Sequence, residues 1–412
     1  MKSDYYHSIL LVVAVGIFYT NVPNYAYETH GFTLLEAPKH WVLLFCLLSS
    51  PLLLRQITAR DALKSPVTIW CLGYAWVAVL WFLLSSQSDT AWQEVRNRFL
   101  AIIEIFAYLV VFSHSAGVRL ARKMLVAGVL AGVAINIYEL FFPLSFSPIL
   151  GRSAGLYENP SMAGEALVLG MVLSVTVLVP RYRGPFILLT GIGVLLTYSR
   201  AGILGWVLAV AGLMYLRGIS LKDILLPGFL GIVLGILIVL PRLDQLLTTW
   251  ERTGALNSNV LERLEWLTDP TGVSDRSSWE RQYLVRQAWD KIAERPVLGS
   301  GTGSSLEATI APHNQNVSFM LDHGLIGVMI LPLLMLAVMW NARGEMRHVA
   351  IIFACVFMLL SFFTHTILNT PYTLLLISLM TAMAAMSRHQ ESQRTVTMKR
   401  KGSASARGLA SA

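Results

Sequence analysis

Residues 184–216 read GPFILLTGIGVLLTYSRAGILGWVLAVAGLMYL, and this stretch decides the fold. It is apolar except for the segment TYSRAG at positions 197–202, which holds its only charge, Arg200. A helix crosses a hydrocarbon core about 30 Å thick with about 20 predominantly apolar residues. The stretch therefore predicts two membrane helices joined by a very tight turn, with Arg200 in the turn.

Similar apolar segments recur along nearly the whole chain of 412 residues. Hydrophobic residues make up 55% and charged residues 14% of the sequence, and the mean hydropathy is +0.59. Soluble globular proteins carry about 25% charged residues, so a soluble enzyme is excluded. Apolar spans are centred near residues 14, 47, 76, 106, 132, 171, 191, 208, 231, 332, 355 and 378. We therefore predict an all-α integral membrane protein, one polytopic domain over residues 1–412 with about twelve transmembrane helices.

The basic residues predict the orientation of the chain in the membrane. With twelve spans both termini lie on one side, and that side, taken as the cytoplasm, holds 19 of the 32 basic residues. Eight of the others lie in one long loop, which the positive-inside rule discounts. The net charge of +8 thus indicates an N-in, C-in topology and no nucleic-acid partner. Residues 388–412, rich in Ser, Ala, Lys and Arg, are predicted to form a disordered cytoplasmic tail.

The one extramembrane segment long enough to hold structure is the loop 242–312, between the ninth and tenth spans. It is predicted to be helical, with a helix from about Ser277 to Glu294 that ends before Pro296 and Gly299. At 100° per residue Arg281 falls at the centre of the apolar face of this helix. That face holds Leu284, Val285, Ala288, Trp289 and Ile292.

Arginines at the outer ends of the spans are the first candidates for chemistry. Arg200 lies outside against the positive-inside trend, which favours a bound anion, although an arginine that caps a helix end is the alternative. Arg281 on an apolar face needs a partner, either an anionic ligand or a carboxylate of the loop. For Arg263 and Arg286 an ordinary salt bridge is the more frequent explanation.

The segment HNQNVSFMLDHGLIG, residues 313–327, lies where the long loop re-enters the membrane. His313 has a side chain whose pKa near neutrality suits it to take a proton from a hydroxyl, although a lone loop histidine is more often structural. His323 follows at no recognised metal spacing, and no Asp-x-Asp or Glu-x-Asp pair occurs outside the membrane. The three cysteines lie inside apolar segments and indicate neither a disulfide nor a zinc site.

Together these residues resemble the O-antigen ligase and O-antigen polymerase superfamily, and especially the O-antigen ligases. The family pattern H-[NSQ]-x9-G-x-x-[GTY] is met by His313, Asn314, Gly324 and Gly327. The Ser-Arg-[Gly/Ala] turn is present at 199–201, and GLYENPSMAG at 155–164 is similar to the family's G-L-x-x-N-P segment. The family's loop arginine, followed by P-x-x-G-x-G, is present as Arg281 with the stretch 296–301, and Arg286 is its rival.

The resemblance implies an inner-membrane glycosyltransferase of the GT-C type, with N and C termini inside and the active site on the periplasmic side. The donor would be O-antigen on undecaprenyl diphosphate and the acceptor a sugar of the lipid A core oligosaccharide. No cofactor is implied, and we expect a monomer. The catalytic residues implied are His313, Arg200 and Arg281. The substrate-binding residues implied are Arg286, Arg263, Asn314, Asn159 and Tyr157.

The implied mechanism is a metal-independent, inverting displacement. Arg200 and Arg281 would bind the diphosphate and stabilise it as it leaves, because arginine offers a fixed bidentate geometry to phosphate. His313 would take the proton of the acceptor hydroxyl as that hydroxyl attacks the anomeric carbon from the opposite face. An apolar groove for the polyprenyl chain is expected beside the TYSRAG turn.

Two other functions stay open at this stage. An O-antigen polymerase would use the same chemistry with another undecaprenyl-linked glycan as acceptor, and the motifs do not exclude it. A lipid-linked glycan flippase or transporter would need polar residues through the depth of several helices, whereas Glu104 is the only acidic residue predicted well inside a span.

Overall fold

The structure is a computed structural model that describes residues 2–31, 38–58, 65–147, 149–216, 218–255, 257–268, 276–307 and 312–409. Every regular element within these ranges is helical, and the ranges contain no strand. The predicted all-α fold is therefore confirmed for the described residues.

Nine α-helices are described between Lys2 and Tyr215. They are α1 (Lys2–Val13, continued by a π-helix at Ala14–Tyr19), α2 (Val22–His30), α3 (Pro38–Thr58), α4 (Pro66–Phe82), α5 (Asp89–Val111), α6 (Ser115–Phe141), α7 (Pro160–Ser174, continued by a 3-10 turn at Val175–Val177), α8 (Pro180–Leu196) and α9 (Arg200–Tyr215).

Nine more are described in the rest of the chain. They are α10 (Leu221–Val239, continued by a 3-10 turn at Leu240–Arg242), α11 (Leu243–Thr253), α12 (Ser258–Thr268), α13 (Arg276–Glu294), α14 (Ser304–Glu307), α15 (Gln315–His323), α16 (Leu325–Met339), α17 (Glu345–Ser361) and α18 (Pro371–Leu409).

Each of the twelve predicted span centres lies in one of these helices, so the positions of the apolar helices are confirmed. By length and composition Ala116–Phe141 and Pro160–Val177 are each able to cross a membrane. The pair Tyr5–Tyr19 and Val22–Thr29, bent by 48°, would make a third span. Shorter apolar helices occupy Pro38–Leu54, Pro66–Phe82, Arg200–Tyr215 and Leu325–Met339. These helices indicate a membrane protein, while the twelve spans and the GT-C type stay predictions.

The long loop is helical where it is described, and α13 begins one residue before the predicted start and ends at the predicted Glu294. Ala288 and Ile292 are buried against Val317 and Leu321 of α15. Trp289 was predicted on the same face but is 48% exposed. The prediction is wrong for Trp289. Ala288 and Ile292, which are one helical turn apart, are the residues of this face that are buried against α15, so the buried face of α13 is narrower than its apolar face.

The last helix, α18, continues to Leu409 and so differs from the disordered tail predicted for residues 388–412. After Pro371 its sequence contains no further proline, and it is rich in Ala, Met, Gln, Arg and Lys. These residues have high helix propensities, so nothing in the sequence forces the helix to end where the apolar span ends. Composition alone does not distinguish a solvated helix from a disordered tail.

The centre of the bundle is α7, in which only Ser161 is not buried. It packs against α6, α8, α9, α17 and α18. Gly170 leaves room for the ring of Tyr19, whose hydroxyl donates to the carbonyl of Ala166 at 3.0 Å. Gly164 lies against Gly202 of α9, where a Cβ on either residue would be about 3.3 Å from the other segment. Helix α7 is thus the support on which the start of α9 rests.

Glu165, also in α7, is buried and accepts a hydrogen bond from the hydroxyl of Tyr372 at 3.2 Å. The prediction that Glu104 is the only acidic residue well inside a span is therefore wrong. The sequence pattern missed Glu165 because it follows the Asn-Pro helix start by only a few residues, which places it near the end of an apolar run.

Candidate functional site

The TYSRAG turn joins α8 to α9 at the end of the bundle predicted to face outward. Ser199 is the N-cap of α9, and its hydroxyl accepts a hydrogen bond from the backbone N–H of Gly202 at 3.2 Å. Tyr198 has a φ of +48°, a left-handed conformation that costs energy in a residue with a side chain. Arg200 is the first residue of α9 and is half-buried. Because a helix N-terminus is itself positive, the turn combines two groups that favour an anion.

Two further arginines hold this turn from outside. The Nε of Arg152 donates to the carbonyl of Thr197 at 3.2 Å, and the Nη1 of Arg263 donates to the carbonyl of Tyr198 at 3.0 Å. Arg263 is 8% exposed. The structure therefore places Arg263, predicted to bind substrate, against the backbone that carries Arg200. Arg152 and Arg263 thus contact the backbone of the turn at the end of which Arg200 enters α9.

A cavity that opens to solvent lies beside the turn. Its polar lining includes Arg152, Tyr198 and Glu139, and its apolar lining includes Leu144 and Trp250. The Glu139 carboxylate is used by the protein, since it accepts hydrogen bonds from the backbone of Phe146 and of Gly155 and from two serines. The cavity thus offers guanidinium and aromatic groups on one side and aliphatic groups on the other, as a ligand with a polar head and an apolar chain requires.

The residues predicted from GLYENPSMAG have contacts inside the protein. Asn159 is the N-cap of α7, and its side chain accepts from the backbone N–H of Met162 at 3.0 Å. The hydroxyl of Tyr157 donates to the carbonyl of Tyr19, and its ring meets that of Tyr372 edge-on with centroids 5.3 Å apart. In the structure these two residues fix the start of the central helix, and a contact with substrate stays a prediction.

The segment 313–327 contains the residues at which helix α15 begins and ends. Asn314 is the N-cap, and its side-chain oxygen accepts from the backbone N–H groups of Asn316 and Val317 at 3.0 and 3.2 Å. Gly324 has a φ of +58°, and a Cβ there would lie 2.3 Å from the carbonyl oxygen of Val297. Glycine is therefore required at 324, where the segment 297–299 passes directly over the end of α15.

His313 stands just before α15 and is exposed. Its ring meets that of His365 at an interplanar angle of 68°, with centroids 4.9 Å apart. His365 lies in the short segment between α17 and α18 and was not singled out from the sequence. The spacing of His365 from His313 along the chain does not indicate that the two residues are neighbours. The contact between α15 and α17, which includes the hydrogen bond from Asn316 to Ser361 at 2.9 Å, brings the two rings together.

His365 has a perturbed environment. Burial and the neighbouring His313 lower the pKa of His365, and the carboxylate of Glu94 acts on this pKa in the opposite direction. His365 Nδ1 and Glu94 Oε2 are both buried and have no hydrogen-bond partner within the described part of the chain. A pair of histidines with a carboxylate behind them is an arrangement suited to accept and hold a proton.

A buried ion cluster connects α15, the helix that His313 precedes, to α5. Arg98 is 1% exposed, and it donates to Glu94 at 3.0 Å and to Asp322 at 2.7 Å. Asp322 also accepts from the backbone N–H groups of Gly303 and Ser305 at 3.2 and 2.9 Å. The cluster thus ties α5, α15 and the glycine-rich segment into one rigid unit. His323 contacts Arg98, and burial together with this charge lowers the pKa of His323 well below its ordinary value, so His323 is neutral.

The remaining predicted arginines lie on α13. Arg286 is exposed on this helix. The backbone of Arg281 belongs to α13, but its side chain lies outside the described residues, so its predicted contact with a diphosphate stays a prediction. Within the ranges described, no group of three or more His, Cys, Asp or Glu side chains is arranged to hold a metal ion.

The turn, the loop helices and the motif of His313 all fall in one segment of the chain. Residues 185–332, a little over a third of the sequence, match the family model Wzy_C, described as O-antigen ligase. This segment of the chain is similar to the O-antigen ligase family. No curated protein matches the chain. The O-antigen ligase match begins within α8 and ends within α16, so it includes both outer ends at which Arg200 and His313 stand.

The match to the O-antigen ligase model, together with the apolar helices, indicates a membrane protein and a transferase-like enzyme that handles glycans. The substrates of the family are in general a lipid-linked glycan and a core oligosaccharide. Within the described residues, Arg200, Arg152 and Arg263 lie at or against the α8–α9 turn, and the histidine pair lies at the start of α15.

Proposed function

We propose that this protein is an O-antigen ligase that transfers O-antigen from undecaprenyl diphosphate to the lipid A core oligosaccharide. The reaction would take place on the periplasmic side of the bacterial inner membrane. Two observations support the proposal: within the family-matched segment, Arg200 stands at the N-terminus of α9, and His313 is exposed and pairs with His365.

The donor is proposed to bind at the α8–α9 turn. The diphosphate would lie against Arg200 and the N-terminus of α9, with Arg152 and Arg263 keeping the backbone of the turn in place. The polyprenyl chain of the bound donor would extend along the apolar lining of the adjoining cavity, which includes Leu144. Arg281, carried by α13, is proposed as a second diphosphate ligand.

The reaction is proposed to be a single displacement with inversion. The acceptor oxygen attacks the anomeric carbon, the bond from that carbon to the diphosphate oxygen breaks, and the electron pair leaves with the diphosphate, stabilised by arginine. The acceptor proton passes to a ring nitrogen of His313. No metal ion takes part in this proposal, so full activity in EDTA is expected.

His365 is proposed to be a positioning residue for this base. The lowered pKa of His365 keeps its ring neutral. A neutral ring packs against His313 without repelling the positive charge that His313 gains when it takes the proton. Glu94 lies behind His365 and favours that charge over a longer distance. The ion pair of Glu94 with Arg98 fixes the carboxylate in place.

Two other functions remain as alternatives to be separated by experiment. An O-antigen polymerase would use the same site with a carrier-linked acceptor, and no structural feature favours it. A flippase would pass the glycan without forming a bond. The buried carboxyls Glu104 and Glu165 are two polar groups within the bundle, and this weakens the sequence argument against transport.

The test is reconstitution of the purified protein with undecaprenyl-diphosphate glycan and lipid A core in proteoliposomes. Transfer of the glycan to lipid A core, read as a shifted lipid A band on a gel, supports the ligase. A ladder that stays on the undecaprenyl carrier would replace the ligase by the polymerase. Glycan that crosses the bilayer with no covalent product would replace it by a transporter.

A further inference from the structure

A second cavity, which opens to solvent, is lined by residues of α2, α3, α5 and the start of α18. Its polar lining consists of Asn24, Lys39, Asn97, Asn369 and Glu104, and its apolar lining includes Val42, Leu100 and Leu374. Asn97 and Glu104 are seven residues apart on α5, so the cavity reaches about 10 Å into the bundle along this helix.

Of the polar groups in this cavity, Asn24 donates a hydrogen bond to Glu158 at 2.8 Å, and the side chains of Glu104, Asn97 and Asn369 remain for a ligand. Glu104 is 5% exposed, and its Oε2 has no hydrogen-bond partner in the described part of the chain. Within the same ranges no hydrogen bond is found for the side-chain amides of Asn97 and Asn369. For the buried Glu104 an unpartnered carboxyl oxygen costs free energy, and such a group persists where it binds a ligand. Asn97 is half-buried and Asn369 is exposed, so a ligand can reach both amides.

The chemistry of the lining indicates a carbohydrate. Each amide offers both a donor and an acceptor, and a carboxyl at the inner end adds further acceptors, which together match the hydroxyl groups of a sugar ring. Lys39 at the exposed end adds one positive charge, which suits an acidic substituent on the sugar. A polyprenyl chain would instead require an apolar groove.

The cavity is lined by residues that are close in sequence to His365 and Glu94. Asn369 follows His365 by four residues in the segment between α17 and α18, and Asn97 is one helical turn from Glu94 on α5. The arginine turn lies elsewhere, because α9 packs against α7 and α17, whereas the cavity is bounded by α5 and α18. An inverting displacement needs the acceptor and the leaving group on opposite sides of the anomeric carbon.

We propose that this cavity binds the terminal sugar of the acceptor oligosaccharide, with Asn97, Asn369 and Glu104 holding its hydroxyl groups. The inference rests on the proposed function, since it places the acceptor opposite the donor. It adds a binding site, with three named residues, that the family pattern does not contain.

The test compares Asn97→Ala and Asn369→Ala with Asn341→Ala, an amide at the opposite end of the bundle. Both cavity amides are partly exposed, so their loss leaves the fold intact. Each cavity variant is expected to raise the KM for the acceptor about 3- to 10-fold, the effect of losing one hydrogen bond, and to leave the KM for the donor within twofold. Asn341→Ala is expected to change neither.

Binding is measured separately, by saturation-transfer NMR with delipidated lipid A core oligosaccharide and no donor. Weaker binding to both cavity variants than to wild type supports the cavity even if no transfer product is ever formed, in which case only the proposed reaction fails. Product formation with an unchanged acceptor KM in both cavity variants overturns the cavity and leaves the ligase intact. A rise in the donor KM alone, or no binding to wild type, also overturns it.

Discussion

The rings of His313 and His365 meet edge to face, with centroids 4.9 Å apart. The two residues are 52 positions apart in sequence, and α15, α16 and α17 lie between them along the chain. One of them is exposed and the other is partly buried beside Glu94. The pair therefore joins the exposed ring of His313, which we propose as the base, to a neighbouring histidine that is partly buried in the bundle.

The first prediction concerns the protonation of His365. Its pKa is expected below the ordinary histidine value, because burial and His313 both lower it. In the variant His313→Ala the pKa of His365 is expected to rise, because the imidazole of His313, which lowers this pKa, has been removed. Histidine-selective NMR titration in micelles measures both values, and His365→Gln assigns the signal. An unchanged pKa in His313→Ala would show that the two rings are not coupled.

The second prediction concerns Arg263, which contacts the carbonyl of Tyr198 and so supports Arg200. Arg263→Gln is expected to raise the KM for the donor about 10-fold or more, because a hydrogen bond from a charged group contributes about 1.5–3 kcal/mol. Arg252→Gln, at the exposed end of α11, is the matched control, and a smaller change is expected. The rate as a function of donor concentration measures both. Equal effects in the two variants would contradict a positioning role for Arg263.

The third prediction concerns the buried ion cluster. Asp322→Ala leaves Arg98 with one carboxylate and removes the acceptor for the backbone of Gly303 and Ser305. The free energy of unfolding is expected to fall by about 3–5 kcal/mol. Glu391→Ala is the control, because Glu391 pairs with Arg343 at an exposed site where a loss of about 0–1 kcal/mol is expected. Unfolding in mixed micelles compares them, and similar losses would contradict the role given to the cluster.

The fourth prediction concerns Gly324. Alanine there would place a Cβ 2.3 Å from the carbonyl oxygen of Val297 at a positive φ, so Gly324→Ala is expected to lower the melting temperature and the transfer rate together. Gly73 lies inside α4 with open space around it, and Gly73→Ala is expected to leave the protein as stable or up to about 1 kcal/mol more stable. A tolerated Gly324→Ala would mean that the segment at 297 moves freely.

The sequence predicted the helices well because the apolar runs and the helix-starting residues are local signals. Ser199, Asn159 and Asn314 stand at helix starts, and each is an N-cap in the structure. The extent of α18 was not predictable from composition, because the residues that follow its apolar part suit a solvated helix as well as a disordered chain.

The candidate site was predictable only where its residues form motifs along the chain. His313 and Arg200 belong to such motifs, whereas His365, Glu94 and Arg98 come from three segments that only packing brings together. Arg263 was singled out as a ligand, yet its contact with a backbone carbonyl depends on how the loop folds over the turn. The second cavity, between α3, α5 and α18, likewise has no signature in the order of residues.

The most direct test of the account is the transfer rate of His313→Ala in the reconstituted system with undecaprenyl-diphosphate glycan and lipid A core. The predicted result is a loss of about 10²- to 10⁴-fold in kcat, with an unchanged KM for the donor and an unchanged melting temperature, because the exposed ring assists the proton transfer and does not support the fold. A rate within a few-fold of wild type would contradict His313 as the base.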